Sequence, residues 1–482
     1  MNADSPEWAF DNSYARLPDV FFTRTNPAPV REPRMALFNR PLAGTLGLDA
    51  DALDTEAGAA IFSGNNIPAG AEPIAQAYAG HQFGHLTMLG DGRAILLGEH
   101  IAPGGSRWDV QLKGSGRTPF SRRGDGRATL GPMLREYILS EAMHALGIPT
   151  TRSLAVAQTG ETVVRDGPLP GAVLTRIAAS HIRVGTFEYA ARSETQKSLP
   201  TLVDYTIRRH FPGIENAENP ALALLSAVIE RQASLIAQWM LVGFVHGVMN
   251  TDNMAVSGET IDYGPCAFLD EYDPGAVFSS IDQHGRYAYE NQPSIAHWNL
   301  ARFAETLLPL FHSDADHAIE IAKGELEKFP SRFRHHWLSG MRAKLGLFNE
   351  QPGDAALISS LLEAMKTNHS DYTNTLRELD PELAPGEPYF TPWHETWQAR
   401  LANQPQTADE TRDLMCRHNP AVIPRNHNVE SALKSAVEDA DFTPLKRLLA
   451  AISAPYKADA GNEDFRTPPP PGGPAYQTFC GT

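Results

Sequence analysis

The chain has 482 residues, of which 42% are hydrophobic and 9% aromatic, a composition typical of globular proteins with a substantial core. Its formal net charge of −16 excludes a general attraction to nucleic acid or to an anionic membrane, so any site for anions must be a local cluster of basic residues. The three cysteines, Cys266, Cys416 and Cys480, are too few and too scattered for a disulfide framework. Because no signal peptide is visible, we expect a cytoplasmic protein without nucleic-acid or membrane partners.

The first half of the chain is predicted to be rich in strands. Residues 1–70 are rich in Pro, Asn and Asp and are typical of an N-terminal extension with short elements. From about residue 75, strand-like runs such as "GRAILLGEH" and "RWDVQLKG" alternate with glycine-rich turns. The segment "PMLREYILSEAMHALGIP" predicts one helix, because Pro132 suits a first turn, apolar residues recur at helical spacing and Gly147 ends the pattern.

From about residue 200 the pattern is helical. Residues 233–251 contain no charged side chain, and their polar residues favour a buried core helix over a membrane span. A strand-rich half with one key helix, followed by a helical half, predicts an α+β fold with the two lobes of a protein kinase. We expect the N-lobe at residues 71–195, the mostly helical C-lobe at 196–400, and a C-terminal extension with a Pro/Gly-rich tail at 401–482.

Four residues occur in the order that a kinase-like site requires. Lys113 in "WDVQLKG" resembles the strand lysine that binds phosphates, and Glu136 in the following helix is its expected ion-pair partner. In "HGVMNTDNMAVSGETIDYG", Asn253 and Asp262 stand where kinases have two oxygen ligands for a divalent metal, for which we expect Mg²⁺ or Mn²⁺. One part is missing, because the catalytic aspartate expected at position 248 is Val248.

A cluster of arginines in a glycine-rich region predicts a pocket for phosphates. The cluster and the arginines in neighbouring motifs are Arg93, Arg117, Arg122, Arg123, Arg127, Arg176 and Arg183. One guanidinium group can donate two parallel hydrogen bonds to the oxygens of a phosphate, and glycine lets backbone amides approach those oxygens closely. The alternative is a solvated loop whose charges form surface ion pairs.

A second motif, "GHQFGH", places His81 and His85 at the spacing of a zinc-binding helix. Gln82 stands where a metalloprotease has its general-base glutamate, and the flanking glycines oppose a helix. The sequence therefore disfavours metal-dependent hydrolysis.

Several long stretches resemble the selenoprotein O (SelO) family of pseudokinases. They run from about residue 78 to 435 and include "YAGHQFGHLTMLGDGRAILLGE", "WDVQLKGSGRTPFSRRGDGRATLGPMLREYILSEA", "LTRIAASHIRVGTFEY", "HGVMNTDNMAVSGETIDYGPCAFLDEYDP" and "HNPAVIPRNHNVESAL". The resemblance implies a protein adenylyltransferase that transfers AMP from ATP, or UMP from UTP, onto Ser, Thr or Tyr hydroxyls of protein substrates. It also implies that ATP is bound inverted relative to kinases.

The resemblance further implies roles for individual residues. Nucleotide contacts fall on Gly90, Gly92, Arg93, Lys113, Asp125, Gly126, Arg176, Arg183 and Asp262. Metal ligation falls on Asn253 and Asp262, and the catalytic base on Asp252. With an inverted nucleotide the reacting phosphorus moves away from position 248, and a carboxylate at Asp252 can accept the proton of the incoming hydroxyl. The alternative for Asp252 is a cap of a helix or turn.

A redox pair is also implied by the resemblance. Cys266 follows "IDYGP", and Cys480 lies third from the C-terminus, a position that is selenocysteine or cysteine in the family. The alternative is that both thiols are free and inert.

Two other functions stay open at this point. A small-molecule phosphotransferase of the aminoglycoside-kinase type fits the order of His-Gly, Asn and Ile-Asp-Tyr-Gly, although Val248 leaves no carboxylate beside an acceptor of the γ-phosphate. A non-catalytic pseudokinase that only binds nucleotide fits the same residues.

Overall fold

The computed structural model describes residues 8–192, 197–383, 385–457, 460–470 and 476–479. Its strands are β1 (Phe22–Arg24), β2 (Arg34–Phe38), β3 (Ile74–Gln76), β4 (Ala79–Gln82), β5 (His85–Met88), β6 (Ala94–Ile101), β7 (Arg107–Lys113), β8 (Ala128–Thr129), β9 (Arg152–Val164), β10 (Pro168–Ala178), β11 (Phe244–Val245) and β12 (Ala267–Phe268). An eight-stranded antiparallel sheet has the order β1-β3-β6-β7-β10-β9-β2, with β8 paired to β10. Two further antiparallel pairs, β4 with β5 and β11 with β12, form separate two-stranded sheets.

The helices follow mainly in the second half of the chain. They are α1 (Arg40–Leu46), α2 (Ala50–Leu53), α3 (Glu56–Phe62), α4 (Leu130–Ala145), α5 (Val184–Ala190), α6 (Ser198–His210), α7 (Pro220–Leu241), α8 (Gln292–Phe311), α9 (Ala315–Leu326), α10 (Phe329–Lys344), α11 (Asp354–Thr367), α12 (Tyr372–Glu378), α13 (Thr391–Leu401), α14 (Ala408–His418), α15 (Asn426–Glu438), α16 (Thr443–Ile452) and α17 (Glu463–Arg466). The prediction of a strand-rich first half and a helical second half is therefore confirmed.

Residues from the predicted N-terminal extension complete the main sheet. Strand β1 pairs with β3 at one edge, and β2 pairs with β9 at the other. The three short helices α1 to α3 lie between β2 and β3 in sequence. Helices α1 and α3 pack on β9, and α3 also packs on β2 and β10. The described part of residues 1–70 thus belongs to the same core as the strands that follow it.

Helix α4 is the long helix of the sheet-rich part, as predicted. Leu134 and Ile138 are fully buried, and the helix packs against β9 and β10. It ends where Gly147 adopts a φ of 80°, and the amide of Ile148 then donates to the carbonyl of Met143 at 3.0 Å. This left-handed turn closes the helix as glycine commonly does. Helices α15 and α16 cover the other side of α4, so a C-terminal segment is part of the same core.

Helix α7 is the core helix of the helical part. Its start is fixed by Asn219, whose side chain accepts from the amide of Leu222 at 3.0 Å, with Pro220 in the first turn. It is long and apolar enough to cross a membrane, but 56% of its most apolar window is buried inside the protein, where it contacts α8 and α10. It ends at Leu241, and β11 then leads into the loop that contains Val248 and Asp252.

Lys344 provides a pH-dependent test of the helical core. Its Nζ donates to the carbonyl of His418 at 3.0 Å, and burial lowers the pKa of Lys344 to about 7, against an ordinary value of 10.5. Between these pH values the folded chain binds fewer protons than the unfolded chain, so this group makes the free energy of unfolding increase with pH. Lys344→Met should raise the free energy of unfolding at pH 7 by about 3 kcal/mol, and the gain should fade towards pH 10.5.

Urea denaturation at the two pH values measures this effect. Lys323→Met, at a side chain that is 61% exposed on α9, is the matched control and should show no such trend. A gain for Lys344→Met that is equal at both pH values would contradict the assignment of a buried, destabilising ammonium.

Candidate active site

A cavity of about 1050 Å³ lies between the sheet, α4, α15 and the loops of the helical part. Its walls include the ends of β7 and β10, the turn Thr251–Asn253, and the C-terminal residues Tyr476–Phe479. Of the residues singled out in the sequence, the cavity is lined by Gln82, Gly92, Arg93, Lys113, Glu136, Arg176, Arg183, Val248, Asp252, Asn253 and Asp262. Elements far apart in sequence therefore bring most of the predicted site residues to one place.

Lys113 and Glu136 form an ion pair at the floor of the cavity. Lys113 is the last residue of β7, and its Nζ lies 2.7 Å from Oε2 of Glu136 on α4. The other oxygen of Glu136 accepts from Nε of Arg176 at 3.0 Å. Burial alone would raise the pKa of Glu136, but Arg176 and Lys113 lower it below its usual value. Glu136 is therefore a charged carboxylate that positions two cations.

Asp262 shares both of its carboxylate oxygens with three cations. Its Oδ1 lies 2.8 Å from Nζ of Lys113 and 2.6 Å from Nη2 of Arg176, and its Oδ2 lies 2.7 Å from Nη1 of Arg183. Although burial opposes ionisation, these cations keep the pKa of Asp262 well below its usual value. The residue adopts a φ of 63°, in the left-handed region where aspartate is one of the few tolerated side chains. The backbone turn thus aims the carboxylate at the cations.

The two buried arginines are held in fixed orientations. Arg176 is only 1% exposed, and its contacts with Glu136 and Asp262 place its guanidinium on the cavity wall. The guanidinium of Arg183 stacks on the ring of Tyr78 at 4.6 Å and donates to the backbone carbonyl of Asp252 at 2.8 Å. Such fixed guanidinium groups suit the binding of phosphate oxygens.

Asp252 differs from Asp262 because its carboxylate forms no ion pair within the described residues. It lies in the turn Thr251–Asn253 and is 8% exposed, and its Oδ1 has no hydrogen-bond partner within the described residues. Burial raises the pKa of Asp252 to about 7, while Arg183 acts in the opposite direction. A carboxylate with a proton affinity near neutrality, on the wall of a cavity, has the chemistry of a general base.

Asn253 and Asp262 supply oxygen atoms that suit a hard divalent cation. Nδ2 of Asn253 donates to the carbonyl of Val248 at 2.9 Å, which leaves its Oδ1 for another partner. In the described part of the chain, no group of three or more His, Cys, Asp or Glu side chains is arranged to hold a metal. A donor set of one amide and one carboxylate fits Mg²⁺ or Mn²⁺, which take their remaining ligands from phosphate and water.

Three residues of the predicted nucleotide set do not line the cavity. Asp125 pairs with Arg165 at 2.9 Å, and its side chain is 48% exposed. Gly90 and Gly126 have φ values of 138° and 70°, which glycine tolerates, and a Cβ there would collide with Phe120 and with the backbone of Gly116. Arg117, Arg122, Arg123 and Arg127 of the arginine cluster also lie outside the cavity wall.

Of the two candidate redox cysteines, Cys266 lies within the described residues. Cys266 is fully buried and forms no disulfide with another described residue, and burial raises the pKa of its thiol to about 12, with Arg135 acting in the opposite direction. Cys480 lies outside the described residues. The disulfide therefore stays a prediction.

Comparison with known proteins identifies the family. The model of the family "Protein adenylyltransferase SelO" matches residues 6–453. The chain belongs to the SelO family. It is 62% identical over 480 residues to "Protein nucleotidyltransferase YdiU" of Geobacillus kaustophilus, covering 98% of this chain and 99% of the relative. The proteins of the same name from Syntrophotalea carbinolica and Anoxybacillus flavithermus are 60% and 59% identical, covering 99% and 100% of this chain and 98% and 100% of the relatives.

Membership of the SelO family places the chain among nucleotidyltransferases, and ATP is the substrate that adenylyl transfer implies.

Two residues at this site were not predicted from the sequence. Tyr78 stacks on Arg183, and Asp91 lies on the cavity wall, where burial raises its pKa to about 6. Asp91 stands inside the motif "GDGRA", between Gly90 and Gly92, both of which the resemblance assigns to the nucleotide, so its position is a usable signal. Tyr78 carries no comparable local pattern.

Gly80 gives a test of how tightly Asp252 is positioned. A Cβ at Gly80 on β4 would lie 2.1 Å from Oδ1 of Asp252, so alanine must displace the carboxylate. Gly80→Ala should lower nucleotidyl transfer by about 100-fold, because a misplacement of about 1 Å removes the reactive geometry. The folded structure should persist, since the clash is with one side chain.

Initial rates of transfer, together with thermal denaturation, measure both effects. The control is Gly104→Ala, because a Cβ at Gly104 meets no atom within 4 Å. Wild-type rates in Gly80→Ala would show that the position of Asp252 is not critical.

Proposed function

We propose that this chain transfers the AMP moiety of ATP, or UMP from UTP, to Ser, Thr or Tyr hydroxyls of other proteins and releases pyrophosphate. Membership of the SelO family supports the reaction class. We also propose that the sheet-rich and helical parts correspond to the two lobes of a protein-kinase-like fold, at residues 71–195 and 196–400. Residues before and after them would then be extensions of that fold.

The observation that carries the proposal is the arrangement of charges in the cavity. Lys113, Arg176 and Arg183 converge on Asp262. The carboxylate of Asp252, which forms no ion pair within the described residues, lies on the same cavity wall. Three cations in one place suit the β- and γ-phosphates, whose negative charge grows as they leave as pyrophosphate. A triphosphate held in this way presents its α-phosphorus, rather than its γ-phosphorus, to a base at Asp252.

The proposed chemical step forms one bond, breaks one bond and transfers one proton. The oxygen of the acceptor hydroxyl forms a bond to the α-phosphorus, and the bond from that phosphorus to the bridging oxygen of the β-phosphate breaks. The proton of the hydroxyl moves to the carboxylate of Asp252, and pyrophosphate leaves with the electron pair. A divalent ion held by Asn253 and Asp262 would neutralise part of the phosphate charge.

Val248 distinguishes this reaction from that of a small-molecule kinase. It lies on the cavity wall where a kinase has its catalytic aspartate, so no carboxylate stands there to serve an acceptor of the γ-phosphate. This arrangement disfavours the phosphotransferase alternative. It does not by itself distinguish an active enzyme from a nucleotide-binding pseudokinase.

ATP labelled separately at the α- and γ-phosphates separates these functions. Incubation with a protein mixture should give label on protein from the α-position and labelled pyrophosphate from the γ-position. Label on an acceptor from the γ-position would establish a kinase instead. Tight binding of ATP without any transfer would establish the non-catalytic alternative.

A further inference from the structure

The motif "GHQFGH" forms a hairpin beside the cavity. Nucleotide binding does not explain what this hairpin contributes to the reaction. Strands β4 and β5 pair only with each other within the described residues. Gln82 of β4 lines the cavity, and Gly80 lies against Asp252, whereas His81 points to the opposite face. This is a strand pair and not a helix, so the two histidines do not form the zinc arrangement that their spacing suggested.

The hairpin is fastened to the turn that carries Asp252. The amide of His81 donates to Oγ1 of Thr251 at 2.7 Å, and the amide of Phe83 donates to Oδ1 of Asn250 at 3.1 Å. Glu188, buried on α5, accepts from the hydroxyl of Thr251 at 2.7 Å and also contacts Nδ1 of His81. Because three elements share these contacts, the hairpin keeps a fixed position relative to the proposed base.

The outer strand of this hairpin has an open edge and exposed apolar side chains. Leu86 is 36% exposed and Met88 is 52% exposed, although both are large hydrophobic residues. Alternation along β5 places them on one face and His85 and Thr87 on the other. In the register of the hairpin, His85 and Thr87 lie opposite Gln82 and Gly80, so they share the face turned towards the cavity.

A basic and aromatic patch adjoins the hairpin on the side of His81. The rings of Trp298 and His81 meet edge-on, with their centroids 5.4 Å apart. The guanidinium groups of Arg286 and Arg302 lie over the Trp298 ring, at 4.9 and 5.0 Å from its centroid. Arg302 pairs with Glu305, but among the described residues Arg286 has no carboxylate within salt-bridge distance. Arg286 therefore lies next to His81, on the face of the hairpin that also carries Leu86, and a guanidinium without a carboxylate partner there favours an acidic partner.

We propose that the β4–β5 hairpin docks the acceptor protein, by adding an extended acidic segment of that protein as a third strand along β5. The inference rests on the proposed function and specifies its substrate. Main-chain hydrogen bonds to β5 would provide affinity, and alternate side chains would provide specificity. One face of the added strand presents the hydroxyl residue towards the cavity and Asp252. The other face packs its apolar neighbours on Leu86 and Met88 and places acidic residues near Arg286.

Two synthetic peptides with the same central serine and apolar neighbours test this model. One carries glutamates at the flanking positions and the other carries lysines. With α-labelled ATP, the wild-type enzyme should label the glutamate peptide with a kcat/KM at least about 10-fold higher. Arg286→Glu should remove or reverse this preference. A version of the glutamate peptide with N-methylated amides should be a poor substrate, because it cannot pair with a strand edge.

Matched variants separate docking from catalysis. The double variant Leu86→Ser, Met88→Ser should raise the KM for the glutamate peptide about 5- to 10-fold and leave the KM for ATP unchanged. Val164→Ser, at a 70% exposed valine on β9, controls for loss of a surface apolar group, and Arg208→Glu, on the exposed side of α6, controls for the change of charge. Neither control should alter the preference between the peptides.

The outcomes distinguish the two proposals. Equal labelling of both peptides, or an Arg286→Glu variant that behaves like Arg208→Glu, would overturn the docking proposal and leave the proposed function standing. Transfer to whole proteins but to neither peptide would also overturn docking of a short extended segment. If α-label reaches neither proteins nor peptides, the proposed function itself fails.

Discussion

Asp252→Asn should reduce transfer of AMP by about 100- to 10,000-fold while nucleotide affinity stays within about three-fold of wild type. Asparagine has the shape of aspartate but cannot accept the proton of the acceptor hydroxyl. Because Oδ1 of Asp252 has no hydrogen-bond partner in the described structure, the substitution removes no interaction of that atom and should preserve the fold. Transfer of α-label and calorimetric titration with ATP measure the two quantities.

A control for this substitution is Asp51→Asn, at a side chain that is 88% exposed and remote from the cavity. It should leave both quantities unchanged. Full transfer activity in Asp252→Asn would show that another group accepts the proton.

Asp262→Asn should abolish the dependence of nucleotide binding on the divalent metal and lower transfer by at least about 1,000-fold. The substitution removes the charge that Lys113, Arg176 and Arg183 share. Arg183 then lacks a carboxylate partner, Lys113 and Arg176 keep only Glu136, and all three cations stay available for phosphates. Metal-free affinity for pyrophosphate should therefore be retained or increased, although the variant should be less stable by about 3–5 kcal/mol.

Calorimetric titration with ATP and with pyrophosphate, each with and without Mg²⁺, measures these effects. Circular dichroism at the temperature of the titration checks that the variant is folded. Asp380→Asn, which weakens an ion pair with Arg412 far from the cavity, is the control. If Mg²⁺ still strengthens ATP binding to folded Asp262→Asn, the metal is held elsewhere.

The elements with local patterns were predictable. Helix α4 lies where its proline, apolar spacing and terminal glycine place it, and Lys113 ends a strand as its aliphatic neighbours indicate. The positions of β1 and β2 were not predictable, because each pairs with a strand far away in sequence and its own residues do not identify the partner. The same holds for α15 and α16, which cover α4 from the other end of the chain.

The site was predictable where one short segment carries the chemistry. Asn253 and Asp262 occur in a single motif, and the fold brings them to the cavity that Lys113 and Glu136 also line. Asp125, a nucleotide contact that the resemblance implies, pairs with Arg165 and does not line the cavity, so its role in binding stays a prediction. Glu188 accepts a hydrogen bond from Thr251, in the turn that carries Asp252. This contact joins elements that are distant in sequence, and no local sequence pattern indicates it. The roles of the individual residues in transfer stay predictions.

The sharing of Asp262 among three cations has a consequence for the order in which ligands arrive. If Asp262 ligates a divalent ion as proposed, an ion that enters alone must take the carboxylate from the three cations. Arg183 would then lack a carboxylate partner, and Lys113 and Arg176 would keep only Glu136. A triphosphate removes this obstacle because its oxygens can replace the carboxylate as partners of the same groups. The ion should therefore enter with the nucleotide or after it, and the concentration of ATP, rather than that of free magnesium, should decide when the enzyme is loaded.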